Sequence, residues 1–397
     1  MLLSLSSDKL GPFFGDGHRA LRARLAEALP NAARGLGHDA LTAAREMGAR
    51  GDGTLGLYAY LVPERHGGAA VGRPDDERYV DVRSLLLVRE ALAQVSPMAD
   101  SIFAVQGLGS WPVSAFGTDA QRARLLPLVV SGRSIGAFAL TEPEAGSDVG
   151  GLKTVARRDG DGWVLDGEKH LISNVGIAEH YVVFANADPA AGRKGITAFL
   201  VPADAPGITA EAMPLSSPHP LGRLRFSGCR VPDDARVGEI GKGFSIALET
   251  LDAFRISVGA AANGMAARAL VLAIAHVKAR RQFGAPLAEQ QQVQAYLADM
   301  ATDLEAGRLL VARAAYLRDT TPGGRVTAEA AMAKMFATEA AQRVIDKAVQ
   351  LHGGSGVLLG SEVEALYRDI RPLRIYEGTT EIQRLVIARA LLKDGPA

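Results

Sequence analysis

From about Gly17 to Leu126, apolar residues recur at helical spacing in a stretch rich in Ala, Leu, Arg and Glu. The run Arg83-Ser84-Leu85-Leu86-Leu87-Val88-Arg89-Glu90-Ala91-Leu92 is typical, and the pattern predicts helices. The texture changes between Ser134 and about Val237. There, short β-prone runs such as Gly162-Trp163-Val164-Leu165-Asp166, Tyr181-Val182-Val183-Phe184-Ala185 and Ile196-Thr197-Ala198-Phe199-Leu200-Val201 are separated by Gly, Pro, Asp and Asn. Such spacing predicts a small antiparallel β domain. From Gly243 onward, the proline-free segments Phe244 to Arg281 and Val293 to Arg318 return to helical periodicity, and Pro322-Gly323-Gly324 breaks the chain before another helix to Leu351. The order helical, β, helical predicts an α+β chain with domains over 1–135, 136–240 and 241–397.

Composition narrows the function. At 397 residues with 48% hydrophobic side chains, the chain can bury several cores. Lys plus Arg and Asp plus Glu number 44 each, so the overall charge points to neither nucleic acid nor an anionic membrane as partner. Cys229 stands alone, which excludes an internal disulfide, argues against a metal site and fits a reducing, cytoplasmic setting. None of the eight histidines sits at ligand spacing with another. The start, Met1-Leu2-Leu3-Ser4-Leu5-Ser6-Ser7-Asp8-Lys9, lacks the basic opening and apolar core of a secretory signal, and no run approaches the ~20 apolar residues of a membrane span.

The chemistry concentrates near the C-terminus, where Tyr376-Glu377-Gly378-Thr379-Thr380-Glu381 sets one carboxylate between an aromatic ring and a glycine followed by two hydroxyls. A Glu kept partly dry has a raised pKa and makes a better proton acceptor, so Glu377 is a candidate catalytic base. The same letters also describe a helix start, with Thr379 or Thr380 capping and Glu381 in the first turn.

Five separated segments turn these fragments into a pattern. Ala137-Phe138-Ala139-Leu140-Thr141-Glu142-Pro143-Glu144-Ala145-Gly146-Ser147-Asp148, Leu251-Asp252-Ala253-Phe254-Arg255, Arg280-Arg281-Gln282-Phe283-Gly284, Gln350-Leu351-His352-Gly353-Gly354-Ser355-Gly356 and Tyr376-Glu377-Gly378-Thr379 stand in one order. Together they resemble the acyl-CoA dehydrogenases, from roughly Leu85 to Leu392. Gly354-Ser355-Gly356 follows a helical pattern rather than a strand, which excludes a Rossmann dinucleotide site.

The resemblance implies an N-terminal helical domain, a middle β domain and a C-terminal four-helix bundle, with FAD as cofactor. It implies α,β-desaturation of an acyl-CoA thioester: Glu377 removes the α-proton, and the β-hydrogen leaves as hydride to flavin N5. The Glu377 amide and a flavin ribityl hydroxyl would stabilise the charge on the thioester carbonyl. On the same ground, Leu140, Thr141, Ser147 and Ser173 meet the flavin and its pyrophosphate. Arg280 and Phe283 reach the FAD of a neighbouring subunit, and Gln291, Gln350, Gly353, Gly354, Thr379 and Glu381 complete the cofactor set. Asp252, Phe254, Arg255, Tyr376, Gly378 and Arg389 fall on the substrate side; Asp252, Arg255 and Arg389 read equally well as members of ion pairs, and Phe254 as a core residue. The implied assembly is a homotetramer, a dimer of dimers, that passes electrons to an electron-transferring flavoprotein.

Three departures stand out. Leu171 occupies the place of a tryptophan that covers the flavin in the family, although Ser173 keeps its hydroxyl. The segment Leu215 to Arg223 leaves the usual glycine- and arginine-containing pattern. Asp100 takes the place of an arginine found in glutaryl-type relatives, which disfavours a dicarboxylate substrate. Some relatives carry the base where this chain has Phe254, which cannot accept a proton, so Glu377 keeps the role. Two rivals remain: a flavin oxidase or monooxygenase on the same fold, and a non-catalytic assembly protein.

Overall fold

The computed structural model describes residues 10–37, 39–49, 54–69, 71, 80–321 and 326–393; Met1 to Lys9 and Pro322-Gly323-Gly324 lie outside them. Packing groups the chain into two compact units, one of Met1–Ala33, Val82–Asp100 and Arg255–Ala397, the other of Arg34–Asp81 and Ser101–Phe254.

The first unit is helical. Its main members are the Val82–Val95, Gln291–Thr320, Thr327–His352, Glu362–Ile370 and Thr380–Lys393 helices and the part of Gly243–Ala279 that begins at Arg255. The core is built from small side chains on one helix, Ala261, Ala262, Ala266, Ala269 and Ala273, against Met300, Leu304, Val344 and Ile345. Small residues let helix axes approach closely. At Gly264 a Cβ would stand 2.3 Å from the Glu90 carbonyl oxygen, so any side chain there would push the Val82–Val95 helix away.

That helix is buried along all but its last residue, charges included, so each of its ions needs a partner. Asp319 accepts from the Val82 and Arg83 amides, both at 3.1 Å, and pairs with the Arg83 guanidinium at 2.8 Å. Glu90 takes Arg308 at 2.6 Å. Arg89 makes a two-pronged pair with Asp100, 2.9 Å on each prong, and donates to the Ser257 hydroxyl at 3.0 Å.

Strands organise the second unit. β1 (Gly136–Ala139), β2 (Val155–Asp159), β3 (Gly162–Ser173), β4 (His180–Asn186), β5 (Ile196–Pro202), β6 (Ile208–Ala212), β7 (Leu221–Pro232) and β8 (Arg236–Val237) form one sheet in the order 6-7-3-2-4-5-8, with β1 beside β4. The three β-prone runs became β3, β4 and β5. Antiparallel pairing dominates, as expected, with one correction: β4 runs parallel to both β1 and β2. Long connections separate those partners in sequence, which is what a parallel pairing requires. The sheet core holds Trp163 edge-on to Phe199 at 5.5 Å, together with Leu165, Val183, Phe226 and the buried Cys229.

A second correction concerns the apolar content. The Gly243–Ala279 helix is long and apolar enough to cross a membrane by length and composition, yet 72% of the apolar stretch is buried within the protein. Packing accounts for its hydrophobicity.

His180 is buried in the second unit, its Nδ1 at 2.8 Å from the Ser134 hydroxyl and its Nε2 at 3.2 Å from the Gly109 carbonyl. Burial pushes its imidazole down to about 4. The unfolded chain, with an ordinary histidine near 6.5, therefore takes up the proton first. Stability from this site is complete above pH 6.5 and is lost as pH falls toward 4, roughly 3 kcal/mol in all. Thermal unfolding of His180→Gln should show a flatter pH dependence across that window than wild type; parallel curves would refute the assignment.

Candidate active site

The Glu377 loop sits between two helical ends. Arg371–Arg374 makes a tight 3-10 turn after the Glu362–Ile370 helix, and the Pro372 carbonyl accepts from the Ile375 and Tyr376 amides at 2.8 and 3.0 Å. The chain then enters the left-handed region at Glu377, with φ 52°, and at Gly378, with φ 91°. Left-handed backbone suits glycine but costs a glutamate about 1–3 kcal/mol. The helix Thr380–Lys393 begins immediately afterwards, its Ile382 amide donating to the Thr379 hydroxyl at 3.3 Å. The segment is thus a helix start, and its cap and the candidate carboxylate are close neighbours in the chain.

What holds the strained turn is a ring of donors aimed at its main chain. Lys334 Nζ donates to the Gly378 carbonyl at 2.8 Å, and Gln383 Nε2 to the same oxygen at 2.9 Å and to the Glu377 carbonyl at 3.4 Å. Arg255 Nε reaches the Glu377 carbonyl at 3.5 Å. Further along the helix from Lys334, the Glu339 carboxylate accepts from Arg374 at 2.8 Å and from the Thr380 hydroxyl at 2.7 Å, pinning both flanks. The Glu377 carboxylate is left out of this network: its Oε2 is buried without a hydrogen-bond partner among the described residues.

The electrostatics of that carboxylate are a contest. Burial raises its pKa and outweighs the pull of Arg89, Arg255 and Lys334 in the other direction, while Asp100 adds a smaller upward push. Burial also lifts the Tyr376 phenol far above its usual range, against the opposing pull of the Arg89 guanidinium. A half-buried carboxyl of raised pKa with one unbonded oxygen is equipped to accept or deliver a proton.

In the second unit, the positions expected to meet a flavin lie on adjoining strand ends. Leu140 follows β1, the His170 amide of β3 donates to the Thr141 carbonyl at 2.9 Å, and the buried Lys169 bonds the Leu140 carbonyl at 3.1 Å and Glu142 at 2.7 Å. Leu171 stands 51% exposed with φ 56°, where the register between β3 and β7 shifts. Ser173 is half-buried and Ser147 exposed. An exposed apolar side chain beside carbonyls and hydroxyls matches a ring that has an apolar face and a polar edge.

Arg280, in the first unit, follows the Gly243–Ala279 helix and forms no ion pair among the described residues. Phe283 is 95% exposed on the adjoining hairpin of β9 (Arg281–Gln282) and β10 (Ala285–Pro286), again left-handed at φ 53°. A free guanidinium and a bare ring suit pyrophosphate and adenine, so the donor set fits FAD. Gln291 is exposed at the start of its helix, and Gln350, Gly353 and Gly354 are exposed at the end of Thr327–His352.

Comparison with known proteins decides the family. Three family models match in succession: the acyl-CoA dehydrogenase N-terminal domain over 18–133, the middle domain over 137–229 and the C-terminal domain over 241–392. The chain belongs to the acyl-CoA dehydrogenases. It is 42% identical over 349 residues to the human mitochondrial short-chain specific acyl-CoA dehydrogenase, covering 86% of this chain and 81% of that one. It is 40% identical to the acryloyl-CoA reductase (NADH) of Anaerotignum propionicum over 85% of this chain and 84% of the relative. Among solved structures, butyryl-CoA dehydrogenase from Megasphaera elsdenii superposes with a TM-score of 0.86 at 34% identity, covering 96% of this chain and 99% of that one. This acyl-CoA dehydrogenase is accordingly an FAD-dependent oxidoreductase acting on CH–CH groups of acyl-CoA.

Within the acyl-CoA dehydrogenase, the structure gathers Arg255, Tyr376, Glu377 and Gly378 into one cluster. Arg389, expected on the substrate side or in an ion pair, is exposed well along the last helix; the cations acting on Glu377 are Arg89, Arg255 and Lys334. Asp252 is half-buried, Thr379 caps the last helix and Glu381 is exposed beside it. Sequence reasoning missed Arg89, Lys334, Glu339 and Gln383. The only local hint was Lys334 and Gln383 occupying apolar-facing positions of otherwise ordinary helices, where a long polar side chain needs a partner.

Phe254 is 1% exposed, and a Cβ on Gly107 would stand 2.3 Å from its ring. The ring fills the space over Gly107, which favours the core reading of this residue. Phe254→Ala should cost about 3–5 kcal/mol of stability and leave the ranking of acyl-CoA substrates unchanged. An undiminished melting temperature with a reordered ranking in kcat/KM would return Phe254 to the substrate side.

Proposed function

We propose that Glu377 is the base that removes the α-proton of the acyl-CoA, that Leu140, Thr141, Ser147, Ser173, Gln291, Gln350, Gly353, Gly354, Thr379 and Glu381 serve FAD, and that Arg280 and Phe283 reach the FAD of a neighbouring subunit. One observation carries the base assignment: a buried carboxylate oxygen without a hydrogen-bond partner among the described residues, on a residue whose own hydrogen bonds to Arg255 and Gln383 run through its main-chain carbonyl. Bound FAD supplies the hydride acceptor. The protein's own part is to hold a basic, partly dry carboxylate in place and, through the Glu377 amide, to stabilise charge on the thioester oxygen.

The same group serves the reverse direction, because a carboxyl of raised pKa also donates well near neutrality. The similarity to an acryloyl-CoA reductase favours keeping that second reading. An electron-transferring flavoprotein as acceptor, a homotetrameric assembly and a cytoplasmic setting complete the proposal. They rest on the family resemblance and on the single buried cysteine.

Glu377→Gln should retain FAD and bind substrate while anaerobic single-turnover reduction of the flavin slows by at least ~100-fold, the scale of a lost general base. Reduction at the wild-type rate would place the base elsewhere. Arg280→Ala should weaken FAD retention and loosen the assembly together, both recovering with excess FAD. Full cofactor occupancy and an unchanged oligomeric state after dilution and dialysis would remove Arg280 from the cofactor site.

A further inference from the structure

Lys334 lies on the buried face of the alanine-rich Thr327–His352 helix, wholly inaccessible to solvent. A cation in such a place needs compensation. Among the described residues no carboxylate lies within ion-pair distance of it, and its ammonium is committed to the Gly378 carbonyl at 2.8 Å. We propose that Lys334 is a positioning residue for the base: its hydrogen bond locks the left-handed Glu377–Gly378 turn, and its charge favours the ionised carboxylate. The inference rests on Glu377 being the base.

Its neighbours define the balance. Facing Glu377 are Arg89 and Asp100, which neutralise each other, together with Arg255, Lys334 and the Tyr376 phenol. Facing Lys334 are Glu377, Glu339, Glu381 and Arg255, of which Glu339 is already engaged by Arg374 and Thr380. Burial drags the Lys334 amine down to about 8, and Glu377 is the largest influence raising it again. The two groups therefore stabilise each other's charged forms. Such coupling is reciprocal.

Lys334→Gln keeps a donor for the Gly378 carbonyl but drops the charge. In the flavin-loaded enzyme, the pH profile of single-turnover flavin reduction should move upward by about one pH unit or more, with the high-pH plateau near wild type. At any pH below the transition, the rate should then be lower than wild type by about tenfold for each pH unit the profile has moved. Lys334→Arg, which keeps the cation, should move the profile less than Lys334→Gln. A purely structural lysine would change melting temperature without moving the profile, so a folded, yellow Lys334→Gln protein with the wild-type profile overturns the proposal. Should Lys334→Gln not fold, the side-chain 15N resonance of Lys334 provides the test. Its titration should move to lower pH in Glu377→Gln relative to wild type, and an unchanged titration overturns the coupling. Flavin reduction that survives Glu377→Gln overturns the base assignment itself, whereas an unmoved Lys334→Gln profile with Glu377→Gln inactive overturns only the role of Lys334.

Discussion

The site depends on a backbone conformation that a glutamate resists. Glu377 sits at φ 52°, a region it would leave if its loop were free. Gly378 permits the second half of the turn; donors from three helices, Lys334, Arg255 and Gln383, enforce the first half by binding the two carbonyls. This division matters chemically. A hydrogen bond to the carboxylate would favour its ionised form and weaken it as a base. Fixing the loop through its carbonyls orients the side chain and leaves its lone pairs available.

The surrounding charges follow the same logic. The buried Val82–Val95 helix carries Arg83, Arg89 and Glu90, matched to Asp319, Asp100 and Arg308. Unpaired, any of them would impose a field on Glu377 or a desolvation cost of several kcal/mol on the fold. Paired, they leave the carboxyl under the influence of burial first and of nearby cations second, which is why its pKa remains raised despite three positive groups. Arg89 shows this best, because the guanidinium that would most depress Glu377 is held by Asp100 on two prongs.

Much of the architecture was legible in periodicity. Helical spacing and proline-free length located Gly243–Ala279, Gln291–Thr320 and Thr327–His352, and turn residues marked off β3, β4 and β5. Strand direction was not legible, because alternation is the same in parallel and antiparallel partners and only the connections around β4 decide it. Composition alone leaves Gly243–Ala279 open to two readings, since a helix buried in protein and one buried in lipid share it, and the packing decides for the protein core. At the site, the motif around Glu377 marked a candidate base, but the side chains that hold its loop did not show. Lys334 is separated from it by more than forty residues, and Gln383 looks like one more polar helix residue.

Left-handed backbone at residues other than glycine occurs at Leu171, Asn174, Phe283 and Glu377 among the described residues. Asn174 explains itself, because asparagine tolerates this region and its side chain donates to the Gly136 carbonyl at 2.9 Å. The other three have no such local compensation, and each falls where a flavin or its substrate is expected. Leu171 is the most instructive, because it departs from the tryptophan common in the family yet sits in a strained, outward-facing geometry at a register shift of β3. The register shift in the strand pairing around residue 171 accompanies that geometry, so the exposed leucine stands on a platform that its side chain does not build. The same reasoning applies to Glu377, whose turn is maintained by partners that never touch its carboxylate.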